Sequence, residues 1–245
     1  MKIVATIEAR MTSSRLPGKV LLEADGLPML GHLIGRLKKV PSLDAIVVAT
    51  TVNSQDDVLA AYAASQGVAC FRGSEEDVMS RVIGAAESVQ ADIVVEITGD
   101  CPIIDPQVVE QTVRLFLNNP CAYASNVQVR SYPVGMDTQV FRLDTLKKSF
   151  AMTAERLDRE HVSRHMRLNP DIFPQLHLVA SPDMDWPELG LTLDERADYE
   201  LLKKIIEYFA PDRLFGCREV IRLLEDVHPE WVELNRTVRR KGLHE

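Results

Sequence analysis

The stretch KIVATIEARMTSSRLPGKV, residues 2–20, joins a short apolar run to a connection crowded with polar and cationic side chains. The apolar run is rich in Val and Ile, which predicts a buried β-strand over residues 2–7. Gly18 in the connection allows the backbone to approach a ligand closely. The side chains there that bind anions are Arg10, Ser13, Ser14, Arg15 and Lys19. The stretch therefore predicts a strand that ends in an anion-binding loop.

The same order of a short Val- and Ile-rich run followed by a longer amphipathic segment continues along the first half of the chain. It predicts strands at residues 2–7, 45–51, 68–72, 92–98 and 122–126. It predicts helices at residues 28–39, 55–66, 75–90 and 106–119. This alternation is typical of an α/β fold with a mostly parallel, Rossmann-like sheet and helices on both faces. Ligands of such sheets bind beyond the carboxyl ends of the strands.

The second half of the chain is less regular. It contains candidate strands at 136–142 and 175–180 and a candidate helix at 159–168. Residues 196–240 predict two or three closing helices, with breaks at 207–213 and 225–230. Because no repeat or linker interrupts the chain, we expect one domain over residues 1–245, with an irregular α+β insertion at 127–190.

Composition excludes several classes of protein. The net charge is -8 over 245 residues, which disfavours binding to nucleic acid or to an anionic membrane surface. Four widely spaced cysteines predict reduced thiols, and the sequence has neither a signal peptide nor an apolar stretch of membrane-spanning length, so we expect a cytoplasmic protein. A cationic loop in an acidic protein favours a small anion as ligand.

Two aspartates also follow predicted strands. Asp100 lies in TGDCPIIDP after the fourth strand, and Asp194 lies in GLTLDE between a short apolar run and a helix. Nucleoside triphosphates need cationic groups and a divalent ion, and Mg²⁺ prefers carboxylate oxygens. The pattern therefore favours a triphosphate site with Mg²⁺ on these two carboxylates. Taken singly, either aspartate is equally suited to a turn or a helix cap, and Arg10 and Lys19 to solvated loop positions.

The segment IEARMTSSRLPGKVLLEADGLPML resembles the signature of the cytidylyltransferases that activate sugar acids as CMP derivatives, and above all the spore coat polysaccharide biosynthesis protein F branch. TGDCPIIDP, YPVGMDTQVF, REHV and LTLDERADYELL are similar to further markers of that branch, so the resemblance covers about residues 2 to 210. It implies a nucleotidyltransferase fold, transfer of CMP from CTP to a 2-keto-3-deoxy sugar acid with release of pyrophosphate, a role in surface polysaccharide or glycan biosynthesis, and a homodimer that uses the 127–190 segment.

The resemblance also implies a role for individual residues. Arg10, Lys19, Asp100 and Asp194 would be catalytic, with Mg²⁺ on the two aspartates. The nucleotide-binding set would be Arg10, Ser14, Arg15 and Lys19 at the phosphates and Arg72 and Ser74 at the cytosine and ribose. The acceptor-binding set would be Asn126, Tyr132, Asp137, Arg159, Glu160 and His161.

Two positions depart from the branch. Glu8 stands where Gln is usual, which adds a negative charge beside a triphosphate, so we expect it to point outward or to pair with Arg10 or Arg15. Gln139 replaces a usual Glu. These departures concern the acceptor more than the nucleotide.

Other functions leave different sequence features. A sugar-phosphate nucleotidyltransferase would have a Gly-rich loop before its Arg, and a glycosyltransferase would have a DxD pair, whereas Asp100 is followed by Cys and Pro. A non-catalytic nucleotide-binding protein would have lost a phosphate-binding or metal-binding residue. His161 and His165 have the spacing of a zinc pair on one helix, but the Glu that the zinc motif places between its two histidines is missing, and no third ligand is evident.

Overall fold

A seven-stranded sheet forms the centre of the molecule in the computed structural model, which describes residues 1–239. The strands are β1 (Ile3–Glu8), β2 (Glu23–Ala24), β3 (Leu27–Pro28), β4 (Ala45–Thr51), β5 (Ala69–Gly73), β6 (Ile93–Thr98), β7 (Tyr123–Ser125), β8 (Gln139–Arg142) and β9 (Gln175–His177). The order is β5-β4-β1-β6-β8-β7-β9, and β2 and β3 form a separate hairpin. Within residues 1–239, β8 is the one strand of the large sheet that runs against the others. The predicted mostly parallel sheet is therefore confirmed.

Nine α-helices are described in residues 1–239: α1 (Met29–Leu37), α2 (Asp57–Ser65), α3 (Val78–Ser88), α4 (Pro106–Leu117), α5 (Leu143–Met152), α6 (Arg156–Glu160), α7 (Arg164–Leu168), α8 (Arg196–Phe209) and α9 (Cys217–Arg222). Helices α1, α2 and α4 pack on one face of the sheet, and α3, α5 and α7 pack on the other. The predicted layers are confirmed. None of the helices in this part of the chain is long and apolar enough to cross a membrane.

Strand β1 shows why the sheet forms where the sequence predicts it. Ile3, Ala5 and Ile7 pack into the cluster under α1, α2 and α4, whereas Val4 packs into the cluster under α3. Successive side chains of a strand point to opposite faces, so a continuous apolar run suits a strand that is covered on both sides. Hydrogen bonding to β4 and β6 places β1 at the centre of the parallel strands.

A third apolar cluster holds the closing helices in place, with Met29 of α1 and Val108 of α4 among its members. Helices α8 and α9 contribute Leu201, Leu202, Ile205 and Val220 to it. The breaks predicted at 207–213 and 225–230 are confirmed, because α8 ends at Phe209 and a π-helical turn ends at Val227. Residue 240, the last of the predicted closing helices, and the rest of the chain to 245 lie outside the described residues.

The segment 127–190 differs from the prediction in three places. The strand expected at 175–180 ends at His177, the last residue of β9. The helix expected at 159–168 is two short helices, α6 and α7, because the backbone at His161 is not helical. The predicted strand at 136–142 begins only at Gln139, where β8 pairs with β6. Through β8 and β9 this segment becomes part of the central sheet and reaches the carboxyl end of β6.

Candidate active site

Two adjoining cavities lie at the carboxyl ends of β1 and β6. The loop cavity, of about 260 Å³, is lined by the connection after β1, and the insertion cavity, of about 620 Å³, is lined by the 127–190 segment. The two cavities share the side chains of Glu8, Arg15, Thr98, Asp100, Glu160, His161 and Asp194. A molecule in one cavity is therefore positioned next to a molecule in the other.

The loop after β1 is anchored by its backbone. The amide of Met11 donates to Asp56 Oδ1 at 2.7 Å, and the amide of Gly18 donates to the carbonyl of Met11 at 2.9 Å. Asp56 is fully buried and also accepts a hydrogen bond from the amide of Thr51 at the end of β4. Gly18 has φ of 71°, a conformation that glycine adopts without strain. These bonds fix the path of the loop.

Lys19 lies at the junction of the two cavities. Its Nζ is 3.1 Å from Asp194 Oδ1 and 3.4 Å from Asp100 Oδ2, and Arg15 Nη2 is 2.7 Å from the same Asp194 oxygen. Burial alone would lower the pKa of Lys19, but the two carboxylates raise it above its usual value. Burial would raise the pKa of Asp194, but Lys19 and Arg15 lower it. Both groups are therefore held in their charged forms.

Backbone contacts bring the two aspartates together from opposite ends of the chain. The amide of Leu193 donates to the carbonyl of Asp100 at 2.8 Å. Gly99 lies against the end of β1, where a Cβ atom would be 2.7 Å from the carbonyl oxygen of Glu8. Asp194 follows an extended segment with one β-bridge, at Gly190, rather than the strand that the sequence predicts. Asp198, in the first turn of α8, accepts the amide of Asp194 at 3.0 Å.

Arg10 and the serines of the loop line the loop cavity. Arg10 Nη1 is 3.1 Å from Glu75 Oε1. The hydroxyl of Thr12 and the side-chain amide of Asn53 also donate to the Glu75 carboxylate. The hydrogen bonds from Thr12 and Asn53 lower the pKa of Glu75. The Glu75 carboxylate thus occupies the position beside the Arg10 guanidinium that an anionic ligand would take.

Two of the predicted nucleotide-binding residues lie outside the loop cavity. Arg72 donates to the carbonyls of Thr51 and Asn53 at 2.8 Å and pairs with Asp57 at 2.6 Å, so its guanidinium joins β5 to the start of α2. The hydroxyl of Ser74 accepts the amide of Asp77 at 3.0 Å ahead of α3. The structure gives both side chains local structural contacts.

Glu8 points neither outward nor to Arg10 or Arg15, so both alternatives expected from the sequence are wrong. It lines both cavities, and the charged group that offsets it is Arg81 on α3. Burial raises its pKa well above the usual range, Glu96 raises it further, and Arg81 lowers it. Arg81 itself is buried and donates to the carbonyl of Ala49 at 3.2 Å.

Three of the six predicted acceptor-binding residues line the insertion cavity: Asp137, Glu160 and His161. The other three lie elsewhere. Asn126 is fully buried, where it donates to the carbonyl of Met136 at 2.6 Å and accepts the amide of Thr138 at 2.8 Å. Tyr132 belongs to the apolar cluster beneath α8. Arg159 stacks on Phe150 and donates to backbone carbonyls.

The sequence interpretation missed several polar side chains of the insertion cavity, among them Glu96, Thr98, Arg130 and Arg167. The pairing register places Glu96 and Thr98 opposite Thr6 and Glu8 on neighbouring strands, so all four share one face of the sheet. The polar residues at every second position near the end of VVEIT carry that signal. Nothing in the sequence near Arg130 or Arg167 indicates the cavity, because the fold of the 127–190 segment brings them there.

The donor chemistry at the junction fits a hard divalent cation. Asp100 and Asp194 already converge on one cationic group, the Lys19 ammonium, and carboxylate oxygens are ligands that Mg²⁺ prefers. Within residues 1–239 no three His, Cys, Asp or Glu side chains cluster as a ready metal site, so substrate oxygens would have to complete the shell. His165 lies on α7, its Nδ1 lies 2.9 Å from the hydroxyl of Ser149, and it does not share a helix with His161.

Comparison with known proteins places this geometry in a family. A family model described as Cytidylyltransferase matches residues 4–209. The chain is 30% identical to the spore coat polysaccharide biosynthesis protein SpsF of Bacillus subtilis, over 91% of this chain and 93% of that protein. It is 32% identical to a 3-deoxy-manno-octulosonate cytidylyltransferase of Pelobacter propionicus, over 53% of this chain and 50% of that protein.

A solved structure shares the whole architecture. The cytidylyltransferase from Leptospira borgpetersenii superposes with a TM-score of 0.91 at 33% sequence identity, covering 98% of this chain and all of that one. These matches favour the cytidylyltransferase interpretation over the sugar-phosphate nucleotidyltransferase, glycosyltransferase and non-catalytic alternatives. Because the family model covers most of the chain and the fold agrees throughout, the protein belongs to the cytidylyltransferase family.

Proposed function

We propose that the protein transfers CMP from CTP to a 2-keto-3-deoxy sugar acid and releases pyrophosphate. The observation that carries this proposal is the pair of adjoining cavities that share Asp100 and Asp194, one lined by a cationic loop and the other by the 127–190 segment. The similarity to a 3-deoxy-manno-octulosonate cytidylyltransferase supports the class of acceptor. The similarity to SpsF supports a role in surface polysaccharide biosynthesis.

The loop cavity would hold the triphosphate. Arg10, Arg15 and Lys19 present cationic donors to it, and Ser13 and Ser14 add hydroxyl donors. As the acceptor oxygen attacks the α-phosphorus, negative charge grows on the departing pyrophosphate, and fixed cations stabilise that charge in the transition state. On binding, the phosphates would replace Glu75 beside Arg10 and the carboxylates beside Arg15 and Lys19.

Asp100 and Asp194 would hold Mg²⁺. A bound divalent ion supplies positive charge to the phosphate oxygens and lowers the pKa of a coordinated hydroxyl. With the metal bound, Lys19 would be free to turn from the two carboxylates toward the phosphates. Lys19 and Arg15 hold the pKa of Asp194 below its usual range, so Asp194 is ionised at neutral pH for this role.

The insertion cavity would hold the acceptor. Arg130 and Arg167 are guanidinium groups suited to a carboxylate, and His161 and Glu160 lie on the wall shared with the loop cavity. An acceptor bound there presents its hydroxyl toward Asp100 and the loop cavity. Holding both reactants in this arrangement converts a reaction between two molecules into one within a single complex.

Pyrophosphate release tests the proposal. We expect release from CTP only when Mg²⁺ and a 2-keto-3-deoxy sugar acid are both present, and weaker release from UTP, ATP and GTP. CTP with Mg²⁺ should also raise the melting temperature, because a ligand that binds the native state stabilises it. The absence of both pyrophosphate release across a panel of such acids and stabilisation by CTP would contradict the proposal.

A further inference from the structure

One buried carboxylate of the insertion cavity is not used by the proposed reaction. Glu96, at the carboxyl end of β6, is 5% exposed and lines the cavity. Its Oε2 atom is buried and has no hydrogen-bond partner among residues 1–239. A buried polar atom without a partner costs free energy, and a buried charge costs more. Glu96 thus presents an unsatisfied acceptor to whatever molecule fills the cavity.

The cations of this cavity do not bond to Glu96. Arg130 pairs with Asp137 at 2.5 Å, and Arg15 pairs with Asp194 at 2.7 Å. Arg167 attracts Glu96 through space but, in the chain from residue 1 to 239, forms no ion pair within 4.0 Å, and its own Nε is buried without a partner. The cavity therefore holds an unsatisfied carboxylate oxygen and an unsatisfied guanidinium nitrogen that do not satisfy one another.

The balance of charge in the cavity favours a cationic ligand group. Six carboxylates line it against three guanidinium groups: Glu8, Glu96, Asp100, Asp137, Glu160 and Asp194 against Arg15, Arg130 and Arg167. Mg²⁺ and Lys19 would offset Asp100 and Asp194, and the phosphates would draw Arg15 away. Burial raises the pKa of Glu96 to about 7, although Arg167, Ser163 and Gln139 lower it, and burial raises the pKa of Glu8 well above its usual range. A cation beside either group would favour its ionised form.

A simple sugar acid does not supply that charge. Its carboxylate adds one more negative charge, and its hydroxyl groups donate hydrogen bonds without adding positive charge. An ammonium group beside Glu96 Oε2 would satisfy the oxygen and offset the charge, and hydrogen bonds between charged groups are about twice as strong as neutral ones. The acid group of the same molecule would then lie against Arg167.

We propose that the acceptor is an amino-substituted sugar acid, whose ammonium group is bound by Glu96 and whose carboxylate is bound by Arg167. This inference rests on the proposed function and narrows the class of its substrate. Glu96 acts as a specificity-determining residue and takes no part in the transfer of the nucleotidyl group. Glu8 lines the same cavity.

Matched acceptors test this inference. Each amino-substituted 2-keto-3-deoxy sugar acid is compared, by pyrophosphate release from CTP, with the parent acid that carries a hydroxyl at the same position. For at least one amino-substituted sugar acid of the series, we expect kcat/KM to exceed that of its hydroxyl-bearing parent by about 10-fold or more. In Glu96→Gln this preference should fall to about 3-fold or less, through a higher KM for the amino acceptor with the parent acid little affected.

Controls separate recognition from folding. Glu96→Gln keeps the shape of the side chain and removes a buried charge, so its melting temperature should not fall. Glu110→Gln, on α4 away from both cavities, should retain the full preference. Two results would overturn the inference and leave the proposed function standing. One is activity with the parent acids without a preference for any amino-substituted acid. The other is an equal loss of kcat/KM for both kinds of acceptor in Glu96→Gln. Activity with neither series would overturn both.

Discussion

The loop cavity and the insertion cavity solve the problem of buried charge in opposite ways. In the loop cavity, the three cations of the loop after β1, Arg10, Arg15 and Lys19, each have a carboxylate partner within 3.4 Å, so a bound triphosphate would exchange one set of anions for another. In the insertion cavity, Glu96 and Arg167 each keep a buried side-chain atom that has no hydrogen-bond partner within the described part of the chain. The loop cations of the first cavity are paired before substrate arrives, and we expect the substrate of the second cavity to supply the partners that it lacks.

This difference bears on specificity. A cavity whose charges are already paired binds any ligand that offers the same charge, and every nucleoside triphosphate offers the same phosphates. A cavity with unsatisfied buried groups rejects ligands that leave those groups unpaired, because each one costs about 1–3 kcal/mol. Selection among acceptors should therefore be sharper than selection among phosphates, and variants of the two cavities should behave differently.

The largest expected effect belongs to Lys19. Lys19→Ala removes the cation shared by Asp100 and Asp194 and a positive charge for the departing pyrophosphate, so the rate of pyrophosphate release should fall by about 100-fold or more. Lys38→Ala is the matched control, since the Lys38 ammonium donates to the carbonyl of Gln66 on the surface. A loss below about 10-fold in steady-state assays would show that Lys19 does not act on the transition state.

The next largest effect is the contribution of Glu96 to the pH dependence of stability. The pKa of Glu96 is about 7 in the folded protein against an ordinary 4.5, so the unfolded chain loses this proton first as pH rises. Its contribution to stability is present below pH 4.5 and is lost as pH rises to about 7. This loss should be absent in Glu96→Gln. Above that pH range, its free energy of unfolding should exceed that of the wild-type protein by on the order of 1–3 kcal/mol.

Urea unfolding at the two ends of this pH range measures the effect. Glu110 provides a control of opposite sign, because hydrogen bonds from Arg114 and Ser42 outweigh its burial and lower its pKa. Above the pH range in which carboxyl groups titrate, Glu110→Gln should therefore be less stable than the wild-type protein, whereas Glu96→Gln should be more stable than the wild-type protein. Equal pH dependence in Glu96→Gln and wild-type protein would show that Glu96 is not the group responsible.

Most of the loop cavity could be predicted from the sequence because its residues lie close together along the chain. Arg10, Ser14, Arg15 and Lys19 lie within ten residues, and a short loop after one strand keeps them together. Asp100 was predicted from its position at a strand exit, a place that a parallel sheet fixes. Most elements of the central sheet and its helices were predicted for the same reason, since apolar runs and helical periodicity are local signals.

The insertion cavity could not be predicted in the same way. Glu96 looks like one polar residue inside an apolar strand until the register with β1 and β8 shows which face it shares with Glu8 and Gln139. Arg167 reaches the cavity because the segment after α6 turns at His161, which its sequence does not indicate. Asn126 and Tyr132 were assigned to the acceptor from a resemblance, whereas tertiary packing buries both in the protein interior.

A smaller effect separates Arg10 from Arg72, both of which were predicted to bind the nucleotide. Arg10→Ala removes one charged contact to the phosphates and should raise KM for CTP by about 10-fold. Arg72→Ala removes contacts to Thr51, Asn53 and Asp57 outside the cavity and should lower stability with KM for CTP nearly unchanged. Steady-state kinetics and thermal unfolding of the two variants distinguish these outcomes, and equal increases in KM would place Arg72 at the nucleotide.

The smallest expected effect tests the boundary of the insertion cavity. Tyr132 lies in the apolar cluster beneath α8, and burial raises the pKa of its hydroxyl to about 12, so it stays protonated. Tyr132→Phe should change KM for the acceptor by less than about 2-fold and stability by about 1 kcal/mol. Asp137→Asn provides the contrast, because it breaks the pair with Arg130 inside the cavity and should change acceptor KM severalfold. An increase in acceptor KM in Tyr132→Phe that matches the change in Asp137→Asn would extend the acceptor site into the core and weaken the contrast between the two cavities.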